Sequence, residues 1–170
     1  MNNKEYFEEY PCWIVIVSNL VSIVIYASGS FIMYHFGKAS LLAYLLYILL
    51  AEIKVLRTGC VNCNYYGKLC AFGKGKISSL LFKKGDNKKF SQRKIKWKDI
   101  LPDFLVTLIP MAAGVILLIR EFNWPILASI ILLALFGFIA TGIVRGLLAC
   151  KHCKQRQKGC PAEQLFNKKK

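Results

Sequence analysis

Residues 39–70 read ASLLAYLLYILLAEIKVLRTGCVNCNYYGKLC, an apolar run closed by a basic residue and then by Cys60, Cys63 and Cys70 in the spacing C-x2-C-x6-C. Residues 124–160 read WPILASIILLALFGFIATGIVRGLLACKHCKQRQKGC and end the same way, with Cys150, Cys153 and Cys160 offset by 90 residues from the first set. Six of the seven cysteines fall in these two sets, so the chain reads as a duplicated unit of apolar segment followed by cysteine module. Each unit has a second apolar stretch before the first: roughly 12–36 ahead of 39–55, and 100–119 ahead of 124–148. Each of the four is about 17 to 25 residues, enough for a helix rising 1.5 Å per residue to cross about 30 Å of hydrocarbon. The expected fold is therefore an all-α membrane protein. Four transmembrane helices form two tandem hairpins, each followed by a cytoplasmic C-x2-C-x6-C module.

One membrane domain, 1–170, accommodates this: hairpin one over 11–56, a basic cysteine-bearing loop over 57–99, hairpin two over 100–148 and a basic cysteine-bearing tail over 149–170. The composition agrees. The chain of 170 residues is 55% hydrophobic yet carries a net charge of +15, with mean hydropathy +0.41. Such values exclude an ordinary soluble domain unless charge and apolar residues are segregated along the chain, as they are. The first apolar stretch follows Glu5, Glu8 and Glu9 and lacks a small-residue cleavage site, so it reads as a retained helix rather than a leader.

Nineteen of the 24 Lys and Arg residues lie between Arg57 and Lys98 or after Cys150, whereas the other connectors, at 37–38 and 120–123, are tiny. The positive-inside bias then puts both basic segments and both termini in the cytoplasm. Cys12, just ahead of the first helix, joins the other thiols on that side. The expected location is the cell membrane with all seven cysteines facing a reducing compartment, where structural disulfides are disfavoured.

Thiolates in this spacing point to a metal or cluster, or to redox chemistry. A structural zinc ion takes four ligands, and each module offers three thiols. His152 sits inside the second C-x2-C, but Asn62 holds the matching place in the first. Three arrangements stay open: one zinc shared by the two C-x2-C pairs; one ion per module, completed by water, Cys12 or substrate; or an iron–sulfur cluster in each. Cys160-Pro161 resembles the C-P ending of ferredoxin cysteine motifs over those two residues. Cycling of a C-x2-C pair between dithiol and disulfide is the metal-free alternative.

The sequence thus predicts a membrane metal-binding protein, with Cys60, Cys63, Cys70, Cys150, Cys153 and Cys160 as ligands of an iron–sulfur cluster or zinc used in redox or electron transfer. The alternatives are a non-enzymatic zinc-clamped protein that recruits a partner or anionic lipid, and a carrier of a soft ion such as Cu(I) or Zn(II). Against the carrier, only Met33 and Met111 offer sulfur inside the spans.

Other residues carry weaker expectations. Glu52 lies eight residues before Cys60 and Arg145 five before Cys150, so the two should share a depth and pair across a polar pocket under the modules. The alternative has Arg145 and Lys54 reaching to headgroups. Ile77, Leu80, Leu81 and Phe82, flanked by Lys76, Lys83 and Lys84, read as a short amphipathic helix on the membrane surface. The basic face should bind the lipid bilayer and its anionic headgroups, with a redox or membrane-complex partner also expected and nucleic acid not. Ser18, Ser22, Gly137 and Thr141 sit where helices pack and hydrogen-bond to one another. Asp99 is the expected N-cap of the third helix, Pro110 its kink, and His35 an interface residue. No nucleotide-binding loop, Ser-His-Asp set, paired catalytic carboxylates or H-E-x-x-H motif is present.

Overall fold

A computed structural model of the chain describes residues 6–87, 90, 97–157 and 159–160, with no account of the side chains of residues 97 and 98. Most of the basic stretch from Lys88 to Lys98 and the tail beyond Cys160, including Pro161, lie outside the described residues. Those described are helical, with one isolated bridge between Phe7 and Cys153. The helices are α1 (Cys12–Phe36), α2 (Lys38–Thr58), α3 (Lys74–Leu81), α4 (Trp97–Arg120) and α5 (Trp124–Cys150). Four of them, α1, α2, α4 and α5, are long and apolar enough to cross a membrane.

α1 packs against α2, α4 and α5, and α4 packs against α5. The core between them holds Ile25, Ile32, Met33, Tyr44, Val106, Ala113 and Leu133. Large apolar side chains such as Leu42, Leu46, Ile119 and Leu147 point outward instead. Helices with apolar outer faces are what a hydrocarbon solvent demands.

Tyr44 shows how the core is built. Pro110 has no N–H, so the Val106 carbonyl one turn earlier loses its helical partner. The Tyr44 hydroxyl donates to that carbonyl at 2.8 Å, meeting the requirement that backbone polar groups at membrane depth be satisfied internally. The Tyr44 ring fits because residue 29 of α1 is glycine; a Cβ there would strike the Tyr44 hydroxyl and ring. Helix α4 thus continues through Pro110.

Three expectations need correction. Ser18 and Ser22 donate to carbonyls of their own helix, Ile14 and Ser18, at 2.8 and 3.2 Å rather than across to a neighbour. Thr141 does likewise, to Phe136 at 2.8 Å. A hydroxyl one turn from a carbonyl is satisfied locally without waiting for a second helix. Helix α4 begins at Trp97, so Asp99 stands in its first turn rather than capping it. Gly137 does mark a close approach, since a Cβ there would come within 2.7 Å of Thr107 on α4.

Helix α5 departs from α-geometry twice. Leu135–Ala140 and Val144–Cys150 are π-helical, with an α turn at Thr141–Ile143 between them.

Candidate functional site: a thiol-bearing cap over a charged cavity

The two cysteine segments fold alike. In the first, the Cys63 amide donates to the Cys60 carbonyl at 3.2 Å and the Tyr66 amide to the Cys63 carbonyl at 3.1 Å; in the second, Cys153 donates to Cys150 at 3.4 Å and Arg156 to Cys153 at 3.1 Å. In both, the amide two residues after the middle cysteine bonds its sulfur: Tyr65 N–H to Cys63 Sγ, and Gln155 N–H to Cys153 Sγ. A third sulfur, Cys70 Sγ, accepts the Gly75 amide at 3.3 Å.

The segments are also stitched together by a reciprocal exchange. Gln155 Oε1 accepts the Asn64 amide at 2.9 Å, and Tyr65 Oη accepts the Lys154 amide at 3.0 Å. Residues 64 and 154 are equivalent under the 90-residue offset, and so are 65 and 155. Each segment therefore reaches, from the same position, for the same amide of the other, as expected of an internal two-fold. Cys63 Sγ lies 4.0 Å from Gln155 Oε1, inside this stitch.

The N-terminal segment wedges the pair. The Phe7 amide donates to the His152 carbonyl at 3.1 Å while the Tyr65 hydroxyl donates to the Phe7 carbonyl at 2.6 Å. The Tyr10 amide bonds Leu69 at 2.9 Å and its hydroxyl bonds Ala149 at 2.5 Å. Glu8 meets Lys68 at 3.4 Å and also Lys154, one lysine from each segment. These pairs are solvent-exposed and contribute little. The imidazole of His152 stacks on the Phe7 ring, centroids 4.9 Å apart.

Tyr65 and Gln155 are almost fully buried. Replacing Tyr65 with phenylalanine strips the half-buried Lys154 amide of its acceptor and the half-buried Phe7 carbonyl of its donor. The expected result is a loss of about 1–3 kcal/mol for each orphaned group. Gln155→Leu should act similarly through Asn64, and the double variant should destabilise less than the sum, since both cut one joint. Thermal unfolding in detergent measures it.

No disulfide joins any of the seven cysteines. Among the described residues, no three His, Cys, Asp or Glu side chains stand in a finished metal-holding group. The thiols are nevertheless electrostatic neighbours across the two segments: Cys63 with Cys70 and Cys160, and Cys153 with Cys63, Cys160 and Cys150. Burial raises the Cys63 pKa, and raises that of Cys153 to about 11, each partly offset by the amide at its sulfur. Burial likewise pushes the Tyr10 phenol well above its ordinary range, with Cys153 adding to the effect. Cys12 is exposed beside this cap, at the start of α1.

Below the cap, between α1, α2, α4 and α5, is a cavity of about 350 Å³. Cys60 and Cys70 line its cap side, and Glu52, Lys74, Asp103 and Arg145 bring charge to it. Glu52 and Arg145 do line one pocket, but the partner of Glu52 is different from the one expected. Lys74 Nζ lies 2.7 Å from Glu52 Oε2, and the Tyr26 hydroxyl donates to Glu52 Oε1 at 2.5 Å. Arg145 stands 5.9 Å over the Phe72 ring instead. Lys74 arrives because Gly73 takes a left-handed turn, φ 70°, which folds α3 back against the cap. Gly75 then packs so closely on the Tyr65 and Lys68 carbonyls that no side chain fits.

Helix α3 buries Gly75 and Ser78 and exposes Ile77, Leu80 and Leu81. His35, at the far end of α1, is exposed, with Nδ1 3.0 Å from the Phe31 carbonyl. Compared with protein-family models, curated proteins and solved structures, the chain matches none.

Proposed function

We propose that this chain is an integral membrane metal-binding protein of four spans in two tandem hairpins. Both termini and both C-x2-C-x6-C modules face the cytoplasm. The two modules act as one cap that holds thiolate-ligated metal, an iron–sulfur cluster or zinc, for redox or electron transfer at the membrane. The observation that carries the reading is the reciprocal stitch, which sets Cys63 of one module beside Cys153 and Cys160 of the other. The donor set fits such a centre. Cys70 Sγ accepts the Gly75 amide, and the Tyr65 and Gln155 amides offset part of the rise that burial imposes on the Cys63 and Cys153 thiols; amides aimed at sulfur favour thiolate and tune bound metal.

The same stitch favours a second reading, in which one zinc clamps the halves and performs no chemistry. Zinc bound by both modules would hold them as the hydrogen bonds do, with far more energy. In either case the exposed apolar edge of α3, flanked by exposed Lys76, Lys83 and Lys84, suits an anionic lipid surface.

Metal analysis with an optical spectrum, on protein purified without oxygen, tests the proposal. A broad visible absorption with iron and sulfide supports the redox centre. Colourless protein with zinc supports the clamp. Protein without metal overturns both.

A further inference from the structure

Two of the four charged groups of the cavity close on each other, and two, Asp103 and Arg145, do not, although Arg145 stands within electrostatic reach of Glu52. Glu52 and Lys74 neutralise each other at 2.7 Å. Asp103 and Arg145 also have opposite signs and line the same cavity, and both residues are exposed. Among the described residues neither makes an ion pair within 4.0 Å. The reason is visible in the helices. Gly137 of α5 touches Thr107 of α4. Asp103 stands one turn from Thr107 along α4, and Arg145 stands two turns from Gly137 along α5 in the same direction. Arg145 therefore stands further along the cavity than Asp103, and it is held over the Phe72 ring.

A lone anion would satisfy Arg145 and leave Asp103 facing a like charge; a lone cation would do the reverse. A ligand carrying both signs satisfies both and leaves the cavity neutral. A second, independent observation lies in α5. Gly137, Thr141, Val144 and Arg145 all line the cavity, and all but Thr141 stand in the two π-helical stretches. π-turns are rare in helices and are found frequently at functional sites. The volume suits a small molecule, at the lower end of the range of about 300–1,000 Å³ for ligand pockets.

We propose that this cavity binds a small zwitterion, its anionic group on Arg145 and its ammonium on Asp103, with the aliphatic remainder against Val106 and Val144. Two sources share that chemistry: a free amino acid, and the headgroup of a phosphatidylethanolamine entering from the bilayer.

The test is binding to the full chain in phosphatidylglycerol nanodiscs, whose lipid is an anion and no zwitterion, by calorimetry. The probes are L-leucine, L-leucinamide, N-acetyl-L-leucine, glycerophosphoethanolamine and its N-acetyl derivative. A zwitterion should bind about tenfold or more tightly than its singly charged derivatives, the size expected when a charge-assisted contact is lost. Arg145→Gln should erase the preference for leucine over leucinamide, and Asp103→Asn the preference for a free over an acetylated amine. Binding of leucine assigns the free amino acid; binding of glycerophosphoethanolamine alone assigns the lipid headgroup. No binding by either zwitterion overturns the proposal, as do equal affinities for the blocked forms in the unmodified protein. Variants that fold and keep both preferences also overturn it. The blocked-form comparison needs no variant, so a misfolded substitution does not remove the test.

Discussion

Glu52→Leu is expected to be among the most damaging single substitutions in the chain, destabilising it by about 3 kcal/mol. The carboxylate holds Lys74 at 2.7 Å and accepts the Tyr26 hydroxyl. Leucine leaves an ammonium and a phenol facing a mostly apolar wall. The ammonium retains some access to water, since the Lys74 and Glu52 side chains are 26% and 28% exposed, so the effect sits at the low end for a broken buried pair. Removing both charges together should be far milder, because an ion pair replaced by apolar groups of similar size is close to neutral. Glu52→Leu combined with Lys74→Met should therefore restore most of the lost stability. Thermal unfolding in detergent reads both, and a double variant as damaged as the single one would show that the pair is not the cause.

The origin of that pair also marks where sequence reading stops. The spans were legible because every residue in them votes: 12–36 is read to the residue, and the others differ at their ends by a turn or less. Glu52 was legible as a charge that needs a partner at its depth. Its partner was not, because Lys74 follows a left-handed glycine whose dihedral reverses the chain. Counting residues along two spans favoured Arg145, which does reach the same cavity but rests over Phe72.

The cap was partly legible in the same way. Identical cysteine spacing announced two alike segments. The joint between them is made by Tyr65 and Gln155, two unlike side chains that share only an acceptor oxygen of the right reach. Aligning the modules and asking which paired positions carry an acceptor narrows the choice to 62/152 and 65/155. Phe7 and Tyr10 gave no such signal. Their role is to present backbone groups and one hydroxyl to both segments, and composition does not encode that. Nor does it encode the π-helical turns of α5.

Cys63→Ser is the substitution that separates a shared centre from two independent ones, and the geometry predicts a result for it. If each module held its own metal, losing one ligand of the first would remove at most half of the bound metal. Cys63, however, stands inside the stitch, next to Gln155 of the other module and within electrostatic reach of Cys153 and Cys160. A centre built there draws ligands from both copies, so Cys63→Ser should abolish nearly all metal binding, as should Cys153→Ser at the equivalent position. Serine is close in size, and both sites are part-buried, so the fold should tolerate the change itself. The loss of stability should instead track the loss of metal. Thiolate-bound metal contributes on the order of 10 kcal/mol in small domains, far more than one thiol contributes by packing. Metal content and unfolding temperature measured on the same samples check this. Half-occupied protein after Cys63→Ser would show that the modules work separately. Full occupancy would show that Cys63 is no ligand, and that the stitch around it is structural alone.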